Sequence, residues 1–535
     1  MPDWLEKAVF YEIYPQTFFD SNGDGVGDLP GIQQKLEYLQ YLGINAVWLN
    51  PCFMSPFQDA GYDVSDFYQV ATRYGTNEDL RALFAESRRL GIRILLDLVP
   101  GHTSTECAWF KESCKAERNT YSDWYIWTDS VWTWKAPGVQ MVIGYAERDG
   151  NYITNFFHFQ PALNYGFAKP DPDHPWQQPV DAPGPLAVRR ELKNIMKFWL
   201  DLGASGFRVD MAGSLVKNDP GNQTTAWLWQ EMRAWLDKAY PEAALVSEWS
   251  NPTVAIPAGF HMDFLLPFAS PTYQTLFQMA NFPNPSQKAS GTCFFNPNKP
   301  GDIQPFLDDY LPLYQATRGK GFIVIPSGNH DTTPRLGNGR LPRDLELAFL
   351  FLLTIPGVPF IYYGDEIGMR SPEGIKSREG GFGRTGARTP MQWDTTPNAG
   401  FSSAPTDRLY LPVEAARDRR TVAVQRADED SLLNHVCQLI ALRKAHPALC
   451  ASGSFEPVSA KAGILPFVYK RESEDEKLLV ALNPVDQPCE VTLDGSLSAQ
   501  MPERLYGEPE AFQQEGSQWR LHLPGVSGGV YRLQG

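Results

Sequence analysis

The sequence predicts a (β/α)8 barrel with an inserted subdomain after its third strand and a C-terminal antiparallel β-sandwich domain. Strand-like apolar runs alternate with amphipathic helical segments, which predicts parallel strands joined by right-handed crossovers. Eight such runs are present, which favours a closed barrel. Several of them end in a carboxylate or a His–Asp pair, the pattern of a barrel with its chemistry at one rim.

The eight runs follow one another along the first two thirds of the chain. They are Val9–Tyr14, Ala46–Leu49, Ile92–Asp97, Gly206–Asp210, Ala244–Ser247, Gly259–Phe264, Phe322–Ser327 and Val358–Tyr362. The segments Leu80–Leu90, Val188–Leu202 and Leu345–Thr354 have the periodicity of helices between strands. An open doubly wound sheet is the alternative, but it would ordinarily carry a glycine-rich phosphate loop after its first strand, and none is present. We therefore expect closure into a TIM barrel.

The alternation of strand and helix is interrupted after the third run and changes character near the C-terminus. Residues from about 103 to 185 are rich in aromatics, Gly and Pro, and the proline-rich stretch at 169–175 cannot be helical. Short alternating runs such as Lys477–Leu482 then predict antiparallel strands. The predicted domains are the barrel at residues 1–103 and 186–452, the inserted domain at 104–185 and the C-terminal β domain at 453–535.

The composition excludes some classes of partner. The chain of 535 residues carries 47 basic and 62 acidic side chains, a formal net charge of −15. Because nucleic acids and anionic membranes are bound through clustered Lys and Arg, neither is expected as a partner. No apolar run is long enough to span a bilayer. The aromatic content of 13%, with 15 Trp, indicates either a large core or platforms for sugar rings.

The cysteines indicate the compartment. Seven Cys are scattered without a CxxC pair, and the chain begins without a signal-peptide pattern. Free thiols in a reducing environment fit this pattern better than a disulfide framework, so we expect a cytoplasmic protein. The sequence does not decide the assembly state, for which the expectation is a monomer or a weak homo-oligomer.

Carboxylates at the ends of three strands carry the functional prediction. Arg208 and Asp210 lie in GFRVD, Glu248 in LVSEW and Asp331 in GNHD. Arg208 and Asp210 are two residues apart, so in a strand both point to one face, where the Arg keeps the carboxylate ionised. A buried structural ion pair is the alternative, but three carboxylates at strand ends make it less favoured. Cleavage of a glycosidic bond needs one carboxylate that attacks and one protonated carboxyl group that donates. Trp249 is an apolar neighbour of Glu248 and would raise the pKa of Glu248 toward the second role.

Two histidines lie near the same strand ends. His102 closes the segment LLDLVPGH, and His330 stands between Asn329 and Asp331. A lone His is more often a packing or capping residue than a catalytic one. Three adjacent polar residues directly after an apolar strand have no packing role, so His330 is a candidate functional residue.

The loop after the first strand has the pattern of a cation site. In DSNGDGVGD, Asp20, Asn22, Asp24 and Asp28 place oxygen atoms at alternate positions with Gly between them. The segment resembles a calcium loop of the EF-hand kind, but it lacks the Glu twelve residues after the first ligand. An Asx-rich surface turn is the alternative. The density of oxygen ligands favours one structural calcium ion.

Taken together, these segments resemble the α-amylase family, glycoside hydrolase family 13. DLVPGH, GFRVD, VSEW and GNHD match its four main motifs in order, and GYDVSD, QPALN and GVPFIYYGDEIGM match supporting ones. ARTPMQWD (Ala387 to Asp394) is similar to the branch of oligo-1,6-glucosidases, α-glucosidases and trehalose synthases. The resemblance covers about residues 9 to 450, and it implies a barrel with an inserted domain.

The resemblance also implies the roles of individual residues. Asp210 would be the nucleophile that forms a covalent glucosyl-enzyme, Glu248 the general acid/base, and Asp331 would bind sugar hydroxyls and distort the ring. Asp59 and Arg388 would pair to close the far end of the subsite, which makes the enzyme exo-acting. The other substrate-binding residues would be Tyr62, stacked on the glucose, and Asp63, His102, Arg208 and His330, which hold its hydroxyls. The calcium ligands would be Asp20, Asn22, Asp24, the carbonyl of Val26 and Asp28.

Three positions depart from the family's usual residues. Gly101 stands where an Asn is usual, and Ala162 replaces the Asp of QPDLN. Because those two positions help to bind calcium in many α-amylases, we expect that second calcium site to be absent. Met211, directly after the nucleophile, matches neither the Val that goes with α-1,6 bonds nor the smaller residues or Thr that go with α-1,4 bonds. The bond cleaved is therefore left open.

The leading hypothesis is a retaining, exo-acting α-glucosidase that acts on short gluco-oligosaccharides. A transglycosidase of the same family, such as a trehalose synthase, sugar isomerase or glucosyltransferase, is the alternative, because the covalent intermediate is the same and only the acceptor differs. A non-catalytic binding or scaffold protein is a third possibility. It is disfavoured because all three carboxylates are present and no membrane helix is found in the sequence.

Overall fold

Eight parallel strands form a closed barrel. They are β1 (Phe10–Ile13), β2 (Ala46–Leu49), β3 (Arg93–Leu98), β4 (Gly206–Val209), β5 (Ala244–Ser247), β6 (Met262–Phe264), β7 (Phe322–Val324) and β8 (Phe360–Tyr362). Each strand pairs with the next from β1 to β7, and β8 pairs with β1. A parallel bridge between Pro326, just beyond β7, and Phe360 closes the ring. Each predicted run overlaps one strand, and the prediction of a TIM barrel is confirmed.

The computed structural model describes residues 1–266, 269–278, 292–414, 420–460, 463–507 and 511–534. The helices in these ranges connect and cover the strands. They are α1 (Pro15–Phe18), α2 (Leu29–Gln34), α3 (Leu36–Leu42), α4 (Asn77–Arg89), α5 (Ala108–Ser113), α6 (Pro183–Leu202), α7 (Gln223–Ala239), α8 (Pro252–Ala255), α9 (Pro271–Phe277), α10 (Gln304–Thr317), α11 (Pro342–Thr354), α12 (Val422–Arg426) and α13 (Leu432–Ala445).

The long helices follow from caps and apolar faces in the sequence. α4 begins after Thr76, whose side chain forms a capping box with Asp79, and it buries Leu80 and Leu83. α11 is buried along nearly its whole length, since it contacts both α13 and strands of the C-terminal domain. An amphipathic helix therefore covers a barrel face that meets solvent, and an apolar one lies between two domains.

A layer of aromatic side chains fills the barrel interior beneath the rim. Phe10 and Phe360 stack with ring centroids 4.2 Å apart, and Phe264 packs 4.8 Å from Phe360 and 5.5 Å from Trp48. Because side chains alternate along a strand, Glu12 points inward one layer closer to the rim than Phe10. The charged groups above the aromatic layer therefore lie in a setting of low dielectric, where their mutual interactions are strong.

The segment between β3 and α6 adds a small subdomain at the rim. It contains α5 and an antiparallel pair of strands, Gln140–Val142 and Tyr152–Thr154. Ile126, Ile153 and Phe167 belong to a separate small apolar cluster in this segment. A second hairpin, Phe53–Met54 with Asp66–Val70, follows β2. The chain between its two strands carries three of the predicted substrate-binding residues.

The C-terminal region consists of two antiparallel sheets. Its strands are β9 (Ser454–Ser459), β10 (Phe467–Glu472), β11 (Lys477–Asn483), β12 (Cys489–Asp494), β13 (Glu503–Gly507), β14 (Phe512–Glu515), β15 (Gln518–Leu523) and β16 (Ser527–Arg532). One sheet has the order β9-β10-β11-β16-β13 and the other β12-β15-β14. Leu479 of the first sheet and Trp519 and Leu521 of the second belong to one buried cluster. The two sheets therefore pack face to face as the predicted sandwich.

Within the described ranges, no helix has both the length and the apolar character needed to cross a bilayer. All seven cysteines are free thiols, and four of them are buried.

Candidate active site

The two predicted reacting carboxylates meet on one guanidinium group. Asp210 follows β4 directly and Glu248 follows β5, so both leave the barrel at the same rim. Nη1 of Arg208 lies 2.8 Å from Oδ1 of Asp210, and Nη2 lies 2.9 Å from Oε2 of Glu248. Arg208 also contacts Asp97 at 3.1 Å, and the backbone N–H of Met211 donates to Glu248 at 2.9 Å. The structure therefore brings together the residues that the sequence assigns to bond cleavage.

Burial gives the two carboxyl groups of this pair different protonation states near neutral pH. It raises the pKa of Glu248 to about 8, although Arg208 opposes the shift, and the neighbouring Asp210 adds to it. Burial also raises the pKa of Asp210, to about 6, against the opposing effect of Arg208. Near neutral pH, Asp210 is therefore mostly ionised and Glu248 mostly protonated, the states that a nucleophile and an acid require. Burial as a whole, more than Trp249 alone, accounts for the shift in Glu248.

Asp331 lies in a strongly positive environment. Its Oδ1 accepts from Nη2 of Arg388 at 2.8 Å and from Nη1 of Arg384 at 2.9 Å, while its Oδ2 lies 3.3 Å from Nε2 of His330. Burial alone would raise the pKa of Asp331, but His330 and the two arginines lower it below its usual range. Asp331 is therefore an ionised acceptor, which suits binding of sugar hydroxyls and does not suit proton transfer.

Tyr62 and His102 line one wall of the site, and His330 is buried against Tyr62. The rings of Tyr62 and His330 are parallel, with centroids 5.4 Å apart, and the Tyr62 hydroxyl donates to Asp97 at 2.9 Å. His102 lies 3.1 Å from the carbonyl of Tyr62 through Nε2, and burial lowers the pKa of His102 to about 4. His102 is therefore neutral and lies next to the residue that is expected to stack on the sugar.

These groups surround a cavity of about 870 Å³ that opens at the rim. Asp210, Glu248 and Asp331 line it together, so the three acidic side chains converge on one hollow. Of the predicted substrate-binding residues, Asp59, Tyr62 and His102 also line it, as does Met211, which follows the nucleophile. Trp249, predicted as the apolar neighbour of Glu248, also lines the cavity, and the further aromatic and apolar walls that the sequence did not indicate include Phe156, Phe157, Leu266 and Phe382.

The closed end of the cavity differs from the prediction in one partner. Arg388 binds Asp331 and the carbonyl of His330, and no ion pair joins it to Asp59 in the described structure. Nη2 of Arg384 lies 3.6 Å from Oδ1 of Asp59, so Arg384 bridges Asp59 and Asp331. The ion pair of Asp59 is thus corrected from Arg388 to Arg384, which reaches both carboxylates, and Arg388 acts on Asp59 only at longer range. No signal in the sequence beyond its closeness to Arg388 points to Arg384.

Asp63 does not reach the cavity. Its side chain is fully buried, and its carboxylate accepts hydrogen bonds from Ser55 and from the backbone N–H groups of Gln58 and Asp59, at 2.9 to 3.0 Å. A carboxylate with these partners holds the loop that carries Asp59. The prediction that Asp63 contacts the sugar is therefore corrected to a supporting role.

A lysine lies at the junction of the barrel and the inserted segment. Nζ of Lys217 donates to Oδ1 of Asn155 and to the carbonyl of Ser214, at 2.7 Å each, and burial lowers the pKa of Lys217 to about 8. A Cβ atom added at Gly101 would lie 2.5 Å from Nδ2 of the same Asn155. A larger residue at Gly101 therefore does not fit beside Asn155. That no second calcium ion binds near Gly101 and Ala162 stays a prediction, which this positive charge supports.

The predicted calcium loop is held by hydrogen bonds within it and to Ser402. Asp20 accepts from the N–H of Gly25 and from the hydroxyl of Ser402, and Asp28 caps α2 through the N–H of Gly31. The oxygen ligand types fit a hard cation. Among the described residues, however, no three acidic, Cys or His side chains converge as a metal cluster. Calcium binding by Asp20, Asn22, Asp24, the Val26 carbonyl and Asp28 therefore stays a prediction.

Comparison with known proteins places this site in a family. The model of the α-amylase catalytic domain matches residues 12–452, and that of the maltogenic amylase C-terminal domain matches residues 466–528. The chain belongs to the α-amylase family, glycoside hydrolase family 13. It is an enzyme of the branch that the sequence indicated, with oligo-1,6-glucosidases and trehalose synthases among its relatives.

The relatives differ in the reactions that their names describe. Trehalose synthase/amylase TreS of Mycobacterium tuberculosis is 31% identical, over 98% of this chain and 89% of the relative. An oligo-1,6-glucosidase of Heyndrickxia coagulans is 32% identical, over 90% of this chain and 92% of the relative. The trehalulose synthase MutB of Pseudomonas mesoacidophila MX-45 has a similar structure, with a TM-score of 0.80 and 26% identity over 100% of both chains. The α-amylase-family enzyme described here is therefore a glucosidase or a transglycosidase.

Proposed function

We propose that this α-amylase-family enzyme is a retaining, exo-acting α-glucosidase that removes terminal α-linked glucose from short gluco-oligosaccharides. The observation that carries this proposal is the Arg384 bridge between Asp59 and Asp331, at 3.6 Å and 2.9 Å. An ionic bridge at the end of a sugar-sized cavity leaves room for one terminal residue beyond the cleaved bond. The paired carboxylates Asp210 and Glu248 supply the chemistry beside it.

The reaction follows from the charge states of the pair. A carboxylate oxygen of Asp210 attacks the anomeric carbon, the bond to the leaving oxygen breaks, and Glu248 gives that oxygen its proton. The product of this step is a β-linked glucosyl-enzyme, which Arg208 and the ionised Asp331 orient. Water then attacks the same carbon, Glu248 takes up its proton, and Asp210 leaves as the carboxylate. Two inversions give glucose as the α-anomer.

Anomer-resolved NMR of the first product tests this proposal. Maltose, isomaltose, sucrose, trehalose and maltotriose are supplied separately, and α-glucose is the expected first product from at least one of them. Asp210→Asn is expected to lower kcat by about three orders of magnitude or more, since the nucleophile is removed. Asp309→Asn, at an exposed position of α10, is the matched control and should keep full activity. A β-anomer, or an active Asp210→Asn variant, would contradict the proposal.

Transglycosylation is a second candidate function, and one observation favours it. Phe156, Phe157, Phe382 and Trp249 line the cavity, and the Phe157 and Phe382 rings lie 5.8 Å apart. Aromatic faces bind sugar rings, so a sugar acceptor can compete with water for the glucosyl-enzyme. Product chromatography at high substrate concentration tests this candidate. Disaccharide isomers or longer oligomers as the main products would assign the chain to the transglycosidases.

We also propose that the loop of Asp20, Asn22, Asp24 and Asp28, with the Val26 carbonyl, binds one structural calcium ion. Support comes from the oxygen-only ligand set and from Asp20 and Asp28, whose side chains are nearly buried. The ion would neutralise these carboxylates and tie the loop together, with no part in bond cleavage. The cytoplasmic location is likewise proposed, on the support of seven free thiols.

A further inference from the structure

Glu12 is a buried carboxyl group in the barrel interior that takes no part in lining the cavity. It lies on β1, and only 1% of the residue is exposed. Its Oε1 lies 2.8 Å from Nδ1 of His330 and 3.4 Å from the backbone N of the same residue. A carboxyl group so placed decides which ring nitrogen of His330 carries a proton.

The partners on the other side of the ring require a hydrogen on Nε2. The hydroxyl of Tyr62 donates its hydrogen to Asp97 at 2.9 Å. Toward Nε2 of His330, which lies 3.0 Å away, the Tyr62 oxygen can therefore only accept. Asp331, which lies 3.3 Å from the same nitrogen, is an ionised carboxylate and also only accepts. Among the described residues, Nε2 therefore has two acceptors and no donor, and it must carry the hydrogen itself.

The surroundings of Nδ1 agree with this arrangement. Nδ2 of Asn50 lies 3.1 Å from Nδ1 and 3.4 Å from the Tyr62 hydroxyl, as a donor to both. In a neutral ring with a hydrogen on Nε2, Nδ1 is an acceptor. The 2.8 Å contact with Glu12 is then a hydrogen bond only if Glu12 supplies a proton.

We propose that Glu12 is the positioning residue of His330: the two side chains hold one proton between Oε1 and Nδ1, and this fixes a hydrogen on Nε2. The proton resides on Glu12 as a neutral acid or on the ring as an imidazolium, and in both cases the pair has no net charge. Burial raises the pKa of Glu12 and lowers that of His330, so the neutral pair is favoured.

The charged groups around the pair do not supply this proton. Asp331 is the carboxylate next to the ring, and the cationic groups that act on it are Arg208, Arg384 and Arg388. All three arginines are donors already engaged with Asp331, Asp97 or the reacting pair. The shared proton is therefore held between Glu12 and His330, and the ring remains a donor toward Asp331 and the Tyr62 hydroxyl.

The effect of Glu12 on turnover rests on the proposed function, but the proton shared by Glu12 and His330 can be located without substrate. Joint neutron and X-ray diffraction of the deuterated enzyme shows which atoms carry hydrogen. Density is expected on Nε2 and on one position between Oε1 and Nδ1. An empty Nε2, or an Oε1–Nδ1 pair without a proton, overturns the proposal even if the enzyme hydrolyses α-glucosides.

Two variants then test the role of Glu12 in the hydrolysis of p-nitrophenyl α-glucoside. Glu12→Gln keeps a donor for Nδ1 and is expected to stay within about threefold of the parent kcat/KM. Glu12→Met fills the same space without a donor and is expected to lose about 10- to 100-fold, the range found for partners that orient metal-ligating His side chains. Rescue by Gln and not by Met distinguishes positioning from packing, and thermal melts show that both variants fold.

Parent-like kcat/KM in Glu12→Met shows that Asn50 alone orients the ring, and it overturns the proposal. Equal losses in both folded variants overturn it as well, since the Gln donor would then be without effect. If the parent enzyme hydrolyses no α-glucoside, the proposed function fails, and the diffraction result decides the protonation of Glu12 and His330 by itself.

Discussion

At the scale of single residues, Asp210 and Glu248 determine how the reaction responds to pH. The folded pKa values of about 6 and about 8 both exceed the ordinary values of these carboxyls. Below about pH 6 the nucleophile takes up a proton, and above about pH 8 the acid loses its proton. We expect a bell-shaped profile of kcat/KM with its maximum between these values, measured with an α-glucoside under steady-state conditions.

Because both carboxyls bind Arg208, the apparent pKa values of the two limbs describe the pair and not either residue alone. α-Glucosyl fluoride is the control substrate, since fluoride leaves without the help of an acid. Its first step should retain the acid limb and lose much of the alkaline limb. A profile that is flat from pH 5 to pH 9 with the ordinary glucoside would show that this pair does not carry the reaction.

Arg384 gives a second prediction at this scale. Arg384→Ala removes a charged hydrogen bond to Asp331, an interaction that contributes about 1.5–3 kcal/mol, so KM for a glucoside should rise about tenfold or more. It also opens the end of the cavity beside Asp59. With p-nitrophenyl α-maltoside, the parent should release glucose first and Arg384→Ala should release maltose, which chromatography separates.

Arg378→Ala is the matched control for this change, because Arg378 lies in the same segment and is exposed. It should leave both KM and the first product unchanged. If Arg384→Ala still releases only glucose, another group closes the cavity. Arg388, whose role was predicted from the resemblance, would then be the next residue to replace.

At the scale of elements, the turn after β5 depends on a carboxylate from β6. Asp263 is fully buried, and it accepts from the hydroxyl of Ser247 at 2.6 Å and from the N–H groups of Trp249 and Asn251 at 3.2 and 2.8 Å. These donors lie on both sides of Glu248. Asp263 therefore fixes the backbone that presents the acid.

Asp263→Asn is expected to destabilise this turn and to lower kcat more than it changes KM. An Asn side chain has one acceptor oxygen, so its amide N–H₂ must face a donor, and a buried mismatch of this kind costs about 1–3 kcal/mol. Thermal unfolding and steady-state kinetics measure the two effects. Asp309→Asn, exposed on α10, again serves as the control. An unchanged melting temperature together with parent-like kcat would show that the turn holds itself.

The strands that carry these turns were predictable from the sequence, and the contacts across the cavity were not. Arg208 and Asp210 are two residues apart on one strand, so their shared face follows from local geometry. The contact of Arg384 with Asp59 joins positions more than three hundred residues apart, and it depends on how the irregular segment after β8 folds over the rim. Local periodicity contains no information about such a contact, and the family resemblance assigned it to Arg388 in the neighbouring motif.

At the scale of the whole molecule, the loop after β1 connects the first and last parts of the barrel. The N–H of Asp20 donates to the carbonyl of Phe401, and the N–H of Tyr410 donates to the carbonyl of Gly25, at 3.0 and 2.8 Å. The hydroxyl of Ser402 donates to Asp20. The order of the long segment after β8, which carries Arg384 upstream of these contacts, thus depends on the loop proposed to bind calcium.

Removal of calcium should therefore lower the stability of the whole barrel. A ligand that binds only the folded state stabilises it by about 2.7 kcal/mol at one hundred times its Kd. We expect the melting temperature to be several degrees higher with millimolar calcium than with EDTA, measured by scanning calorimetry. Asp24→Ala, which removes a proposed ligand, should abolish this difference, and the exposed Asp407→Ala should retain it. Equal melting temperatures for the parent with calcium and with EDTA would leave the loop as a turn held by its own hydrogen bonds.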